Sequence, residues 1–329
     1  MAEPLVLSIQ NMFVRYPTTR GWIQAIRGVS LDIGRGEFVG VAGESGSGKS
    51  TLALAATRIL APPNAYVEGD VSIVGKDIFK LSQLELKKVR WKSFSFVTQS
   101  AMNALNPVMR IRAQMMDALK AHDPDFNRVK AQKRCEEVFQ IVELSVDKLD
   151  RYPHQLSGGQ RQRAVIALAL LLQPELIIMD EPTTALDVVA QREIIALIRQ
   201  LQREYGFAVM FITHDLSLLL EVADRVLVLY GGRVMEMGQS EILVERPEHP
   251  YSRALINSFP PLHGTMERRE GISGSPPDML QPPPGCPFAE RCPLVMPVCH
   301  QDMPPLLEIQ GRRVACHAVM KTYAEEVRA

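Results

Sequence analysis

The chain has 329 residues, 46% of them hydrophobic, with 37 basic and 37 acidic side chains and a formal net charge of zero. That is enough apolar material for one large domain with an appendage, or for two domains, and it excludes wholesale disorder. The even charge balance argues against a protein that wraps nucleic acid, which normally carries a basic excess.

The N-terminus, MAEPLVLSIQ, has an acidic residue and no basic n-region, so no secretory signal is expected. Residues 5–41 alternate apolar and polar positions in short segments broken by Gly and Pro, a pattern of strands and turns. Phe38 to Ala42 is a short apolar strand entering a Gly-rich loop, followed by a helix from Ser50 to about Ile59 that ends at Pro62-Pro63. Residues 94–99, FSFVTQ, read as a strand leading into a helical subdomain over about 100–165, within which 128–145 are charged and periodic. A second apolar-faced helix covers 160–172, and its run Ala164–Leu172 is roughly half of the ~20 residues that a membrane span needs. The all-apolar Leu176–Met179 suits a buried parallel strand. Helix 188–204 and strands 208–213 and 225–230 complete an alternating α/β pattern. Beyond about 245 the sequence becomes dense in proline, with PPPG at 282–285, and reads as an extended, loop-rich appendage. The division expected is therefore 1–245 and 246–329, with no internal repeat.

Gly43-Glu44-Ser45-Gly46-Ser47-Gly48-Lys49-Ser50-Thr51 fits G-x4-G-K-[ST] between a strand and a helix. Glycines let such a backbone wrap a phosphate with its N–H groups, and the helix N-terminus adds a favourable dipole. Lys49 supplies a charge for the β/γ-phosphates of ATP, and Ser50 offers its hydroxyl to Mg²⁺. Leu176–Glu181, LIIMDE, is the matching half: an apolar strand ending in Asp180, placed to hold the Mg²⁺ water shell, and Glu181, placed to polarise an attacking water. Leu156-Ser157-Gly158-Gly159-Gln160 opens a helix with a capping serine and two glycines, a second anion site. One active site needs only one phosphate-binding helix, so this one is expected to serve a nucleotide held by another subunit.

With these motifs in place, residues 5–245 resemble the ABC-transporter nucleotide-binding domain: an α/β, RecA-like P-loop NTPase core with antiparallel β and helical subdomains. By that resemblance Tyr16 stacks on adenine, and Gln99 contacts Mg²⁺ and senses the membrane subunits. Asp187 in TTALD communicates across a dimer, and His214 in FITHD is the switch histidine that contacts the γ-phosphate. PEHPYSRALINSFP at 247–260, Ala104-Leu105-Asn106-Pro107 and the Cys-rich ending resemble the oligopeptide/dipeptide/nickel importer ATPases, although Ser100–Asn103 departs from the commoner form.

Cys286, Cys292, Cys299 and Cys316 are spaced C-x5-C-x6-C-x16-C. Spacing leaves zinc and an iron–sulfur cluster equally open, with no metal as a third reading and His300 and His317 as substitute ligands. The resemblance favours a structural [4Fe–4S] cluster. Cys135 reads as an ordinary helix residue. The resemblance further implies a sister ABC ATPase as partner in a heterodimer, two membrane permeases, an extracytoplasmic binding protein, and a peripheral place on the cytoplasmic face of the membrane. Di- and oligopeptides are the expected cargo, with oligosaccharides or nickel as alternatives. A non-transport ABC ATPase acting on DNA or ribosomes is the rival of another class; it would require a long coiled coil or a second cassette, and neither is present.

Overall fold

A computed structural model describes residues 4–99, 104–184, 186–258 and 271–326. In chain order the elements are β1 (Leu5–Thr18), β2 (Gly21–Gly34), β3 (Phe38–Ala42), α1 (Lys49–Ala56), β4 (Tyr66–Ile73), β5 (Lys76–Asp77), α2 (Gln83–Val89) and β6 (Phe94–Val97). There follow α3 (Ile111–His122), α4 (Arg128–Ile141), α5 (Gly158–Leu170), β7 (Leu176–Asp180), α6 (Val188–Tyr205), β8 (Ala208–Ile212), α7 (Leu216–Val222) and β9 (Arg225–Tyr230). The chain finishes with β10 (Arg233–Gln239), α8 (Ser240–Glu245), α9 (Pro250–Ser258), α10 (Val298–Gln301), β11 (Leu307–Ile309), β12 (Arg312–Val314) and α11 (His317–Glu326).

These elements gather into two compact units, each built from three stretches of chain: 1–7, 33–37 and 73–210 in the first, and 8–32, 38–72 and 211–329 in the second. In the first unit β6 and β7 pair in parallel, Phe94 opposite Leu176 and Val97 opposite Met179. Every residue of β7 is buried, as its unbroken apolar run requires. The helices start where the sequence provides a cap. Asn127 accepts from Val129 N and Lys130 N at the head of α4, and Asp187 accepts from Val189 N and Ala190 N at the head of α6. Helix α6 buries Ile194, Ile195, Leu197, Ile198 and Leu201 along one stripe and stops at Gly206 in the left-handed conformation.

In the second unit β3 and β9 pair in parallel, and β10 runs antiparallel to β9. β12 extends the sheet from the edge of β10, Glu236 opposite Val314, and β11 closes it. A second sheet orders β2, β1 and β4. β1 runs without interruption to Thr18 and β2 starts at Gly21, so Tyr16 lies near the end of a long strand pair.

The ending is more regular than its proline content suggests. Residues 250–258 are helical, because Pro250 occupies the first position of α9, where a missing N–H costs nothing. The proline-rich run also packs down: Met279 O accepts from Gln24 N at 2.9 Å, and Pro283 O accepts from the Arg27 guanidinium at 2.9 Å. Ser100–Asn103 and the last two residues of the 247–260 motif lie outside the described residues.

Candidate functional site

The phosphate loop lies in the second unit, between the fully buried β3 and α1. A Cβ on Gly43 would collide with the Leu229 carbonyl oxygen, and one on Gly48 would lie 2.6 Å from Ala25 O. Both glycines have positive φ, +152° and +105°. The backbone here passes where no side chain fits, which is what a loop wrapping a ligand with its amides requires. Gly46 also has positive φ but open space around it.

Helix α1 begins directly after Gly48, which as N-cap supplies no side-chain hydrogen bond to its first turn. The Ser47 hydroxyl is buried with no hydrogen-bond partner, an orphan that a phosphate oxygen would satisfy. Lys49 is buried and folds back, Nζ donating to Gly43 O at 2.8 Å and Glu44 O at 3.0 Å. Tyr16 is half-buried beside the loop, its hydroxyl 3.1 Å from Thr51 Oγ1. Ser45 is exposed and Ser50 half-buried. His214 is exposed immediately after β8, while the neighbouring Asp215 caps α7 through Leu218 N.

The first unit brings Gln99 and Glu181 together: Gln99 Nε2 donates to Glu181 Oε2 at 3.0 Å. Thr184 Oγ1 donates to the same oxygen at 3.0 Å. Sequence reasoning missed Thr184; the only signal was a hydroxyl three residues after the carboxylate. Asp180 is buried at the end of β7, and Glu181 follows it with φ of 45°, a left-handed conformation for a side-chain-bearing residue. Such strain costs about 1–3 kcal/mol and gathers at functional sites.

Ser157 caps α5, accepting from Gln160 N at 3.3 Å, while Gln160 Oε1 accepts from Ser157 N at 3.2 Å. A Cβ on Gly159 would meet nothing within 4 Å, and one on Gly158 would touch only Leu186 at an ordinary 3.5 Å. Asp187 is exposed, and Val188 and Val189 beside it are each about two-thirds exposed, 67% and 68%.

The four cysteines of the ending lie in the second unit, and Cys286, Cys299 and Cys316 are buried. Burial above all, with a smaller contribution from the neighbouring Cys316, Cys299 and Cys292, pushes the Cys286 thiol up to about 12. Four thiols thus share one neighbourhood, tied by the Cys286 N–H donating to Cys299 O at 2.8 Å. Among the described residues, however, no three His, Cys, Asp or Glu side chains come close enough to hold a single metal ion. A zinc ion with Zn–S bonds of about 2.3 Å would need its sulfurs drawn tightly together. His300 and His317 have other neighbours: Glu290 at 3.3 Å and Asp302 O at 3.0 Å. Cys135 is buried in α4, and burial pushes its thiol up to about 11, as befits an inert core residue.

A family model described as ABC transporter matches residues 26–184, and one described as oligopeptide/dipeptide transporter, C-terminal region, matches 235–299. The chain is 38% identical over 315 residues to the dipeptide transport ATP-binding protein DppD of Caldanaerobacter subterraneus, covering 95% of this chain and 97% of that one. It is 41% identical over 302 residues to DppD of Bacillus subtilis, covering 91% and 90%. The oligopeptide transport ATP-binding protein OppD of Escherichia coli is 40% identical over 314 residues, covering 94% and 92%. Among solved structures, the ATP-binding cassette MJ0796, a dimer in a post-hydrolysis state bound to ADP and Pi, superposes with a TM-score of 0.63 at 32% identity. That match covers 71% of this chain and 98% of that one.

Proposed function

Because the chain belongs to the ATP-binding proteins of the dipeptide and oligopeptide ABC transporters, we infer that it hydrolyses ATP to power the import of peptides. The carrying observation is identity of 38–41% to such proteins over nine-tenths of the chain. Residues 1–245 are the nucleotide-binding domain and 246–329 the importer-type extension in this scheme. No helix among the described residues is long and apolar enough to cross a membrane. The kinship with transport ATP-binding proteins implies membrane permeases and a substrate-binding protein as partners. The chain would sit on the cytoplasmic face of the membrane against those permeases.

The residue roles follow from the chemistry of each side chain. Lys49 and the loop amides from Gly43 to Thr51 hold the phosphates, the buried Ser47 hydroxyl gaining the acceptor it lacks. Mg²⁺, when bound, neutralises charge on the β- and γ-phosphates; Ser50, Gln99 and Asp180 are its ligands or orient its waters. Glu181 orients and deprotonates the attacking water, Gln99 and Thr184 fix its carboxylate, and His214 reaches the γ-phosphate. Tyr16 offers its ring to adenine. Ser157, Gly158, Gly159 and Gln160 cover the ATP of a second subunit, and Asp187 with its exposed valines lies on the same interface. That second subunit is a sister ATPase rather than an identical copy. Closure on ATP and reopening after hydrolysis rock the permeases between outward and inward access.

A strain lacking this chain tests the assignment through uptake of labelled di- and oligopeptides. Uptake is expected to disappear, to return with the wild-type chain, and to stay absent with Lys49→Ala. Intact peptide uptake alongside lost oligosaccharide or nickel uptake would reassign the cargo.

The cysteines hold a [4Fe–4S] cluster in this proposal, at Cys286, Cys292, Cys299 and Cys316. The gathering of four cysteines in one short ending, three of them buried, with the Cys286 N–H donating to Cys299 O at 2.8 Å, supports it. The cluster would supply cross-linking of loops rather than electron transfer. Anaerobically purified chain is expected to contain iron and acid-labile sulfide in equal amounts with a broad visible absorption, and Cys299→Ser is expected to lose both. Stoichiometric zinc without sulfide would replace the cluster with the alternative metal.

A further inference from the structure

A loop that binds phosphate through its backbone amides depends on that backbone being held in one shape before the ligand arrives. Glu44, the second residue of the phosphate loop, is gripped by two side chains from far along the sequence. The Glu44 N–H donates to the Tyr251 hydroxyl at 2.8 Å. Its carboxylate takes a two-pronged ion pair from Arg291, Nη1 to Oε2 at 2.6 Å and Nη2 to Oε1 at 3.0 Å.

Arg291 is itself locked in place. Nη1 also donates to the Tyr230 hydroxyl at 2.8 Å, Nη2 to Ile272 O at 2.9 Å, and Nε to Ser273 O at 2.8 Å. A guanidinium has five N–H groups, and all five are thereby used. The guanidinium lies over the rings of Tyr230 and Phe288, 5.6 and 5.8 Å from their centres, and its side chain is only 4% exposed. Such a buried, fully satisfied fork is unlike a surface ion pair, which contributes little and moves freely. Arg291 immediately precedes Cys292, and Phe288 lies between Cys286 and Cys292. Its position is therefore set by the same short segment that bears two of the cysteines.

We propose that Arg291 is a positioning residue for nucleotide binding: through Glu44 it holds the phosphate loop in its binding shape, making the cysteine-bearing extension part of the ATP site's support. The proposal rests on residues 43–51 being the phosphate cradle. It goes beyond a contact that merely stabilises the fold, because it requires the loss of Arg291 to appear in ATP affinity.

The test measures ATP binding to the full-length chain by calorimetry and steady-state hydrolysis in the assembled transporter. Arg291→Ala is expected to raise both Kd and KM for ATP about tenfold, the worth of one charge-assisted hydrogen bond, with kcat at saturating ATP nearly unchanged. Arg291→Lys keeps the charge but not the fork and is expected to weaken binding about threefold. Glu44→Ala combined with Arg291→Ala should be no worse than either alone, since both remove the same contact. Unchanged Kd and KM with only a lower melting temperature would overturn the proposal and leave Arg291 a structural staple. Should Arg291→Ala fail to fold, Arg291→Lys and Glu44→Gln decide by the same criterion. Lys49→Ala separates the two layers. Lost ATP binding there, with unaffected Arg291 variants, refutes the positioning role alone; retained binding there refutes the cradle and the proposal with it.

Discussion

Glu181→Gln is expected to lower ATP hydrolysis by about 10²–10⁴-fold while leaving the fold and ATP binding in place, the range set by loss of a general base. The side chain keeps its shape, and an amide oxygen can still accept from Gln99 Nε2 or Thr184 Oγ1, each now 3.0 Å from Glu181 Oε2. What disappears is the ability to take a proton from water. Both donors reach that one oxygen, and an amide oxygen with two lone pairs can serve both, so little stability is expected to be lost. The left-handed backbone at φ 45° is unaffected by the change, so the substituted amide stays where the carboxylate was. Single-turnover hydrolysis by the assembled transporter, set beside ATP affinity, separates the effects. Equal rates for wild type and variant would remove Glu181 from the chemistry. Thr184→Ala is a useful companion, because it leaves the base intact and removes one of its orienting donors.

The parts of this site that could be read from sequence are those whose chemistry is local. A phosphate loop needs glycine where a Cβ would strike backbone, and Gly43 and Gly48 sit at such points. A buried parallel strand is apolar throughout, which is why Leu176–Met179 was recognisable, and its polar end marked Asp180 and Glu181. Helix starts announce themselves through a cap within three residues, as Ser157 and Asp187 do. The long-range pieces left no such trace. Arg291 meets Glu44 across 247 residues, and no periodicity or spacing encodes that pairing. β12 is only three residues long and joins the sheet by pairing with β10, a partner some seventy-five residues earlier. Proline misled for a different reason: Pro250 marks a break in most contexts but is neutral in the first turn of a helix, where it stands. Thr184 was overlooked because its role depends on the turn after β7, in which its N–H donates to Glu181 O at 3.4 Å.

Gly159→Ala is expected to abolish most ATP hydrolysis by the assembled transporter, about 10²-fold or more, while the chain itself becomes no less stable. The structure gives two reasons for expecting stability to survive. A Cβ at Gly159 would point into open space, and neither Gly158 nor Gly159 has a positive φ. Alanine is also the better helix former by up to about 1 kcal/mol, so the melting temperature should hold or rise. Among the described residues nothing therefore requires a glycine in the first turn of α5. The remaining explanation is an outside group that approaches the backbone closely, and a helix N-terminus with its amides exposed suits the phosphates of a nucleotide on the second subunit. Displacing one such donor from developing charge costs 10²–10³-fold in comparable sites. Gly43→Ala is the contrast, since there the added methyl collides with the Leu229 carbonyl and both folding and ATP binding of the isolated chain should suffer. Measured together, thermal melting, ATP binding by the isolated chain and hydrolysis by the full transporter give opposite patterns for the two glycines. A Gly159→Ala chain that melts earlier would make the glycine a folding requirement, and one that hydrolyses ATP normally would remove the second phosphate site from the mechanism.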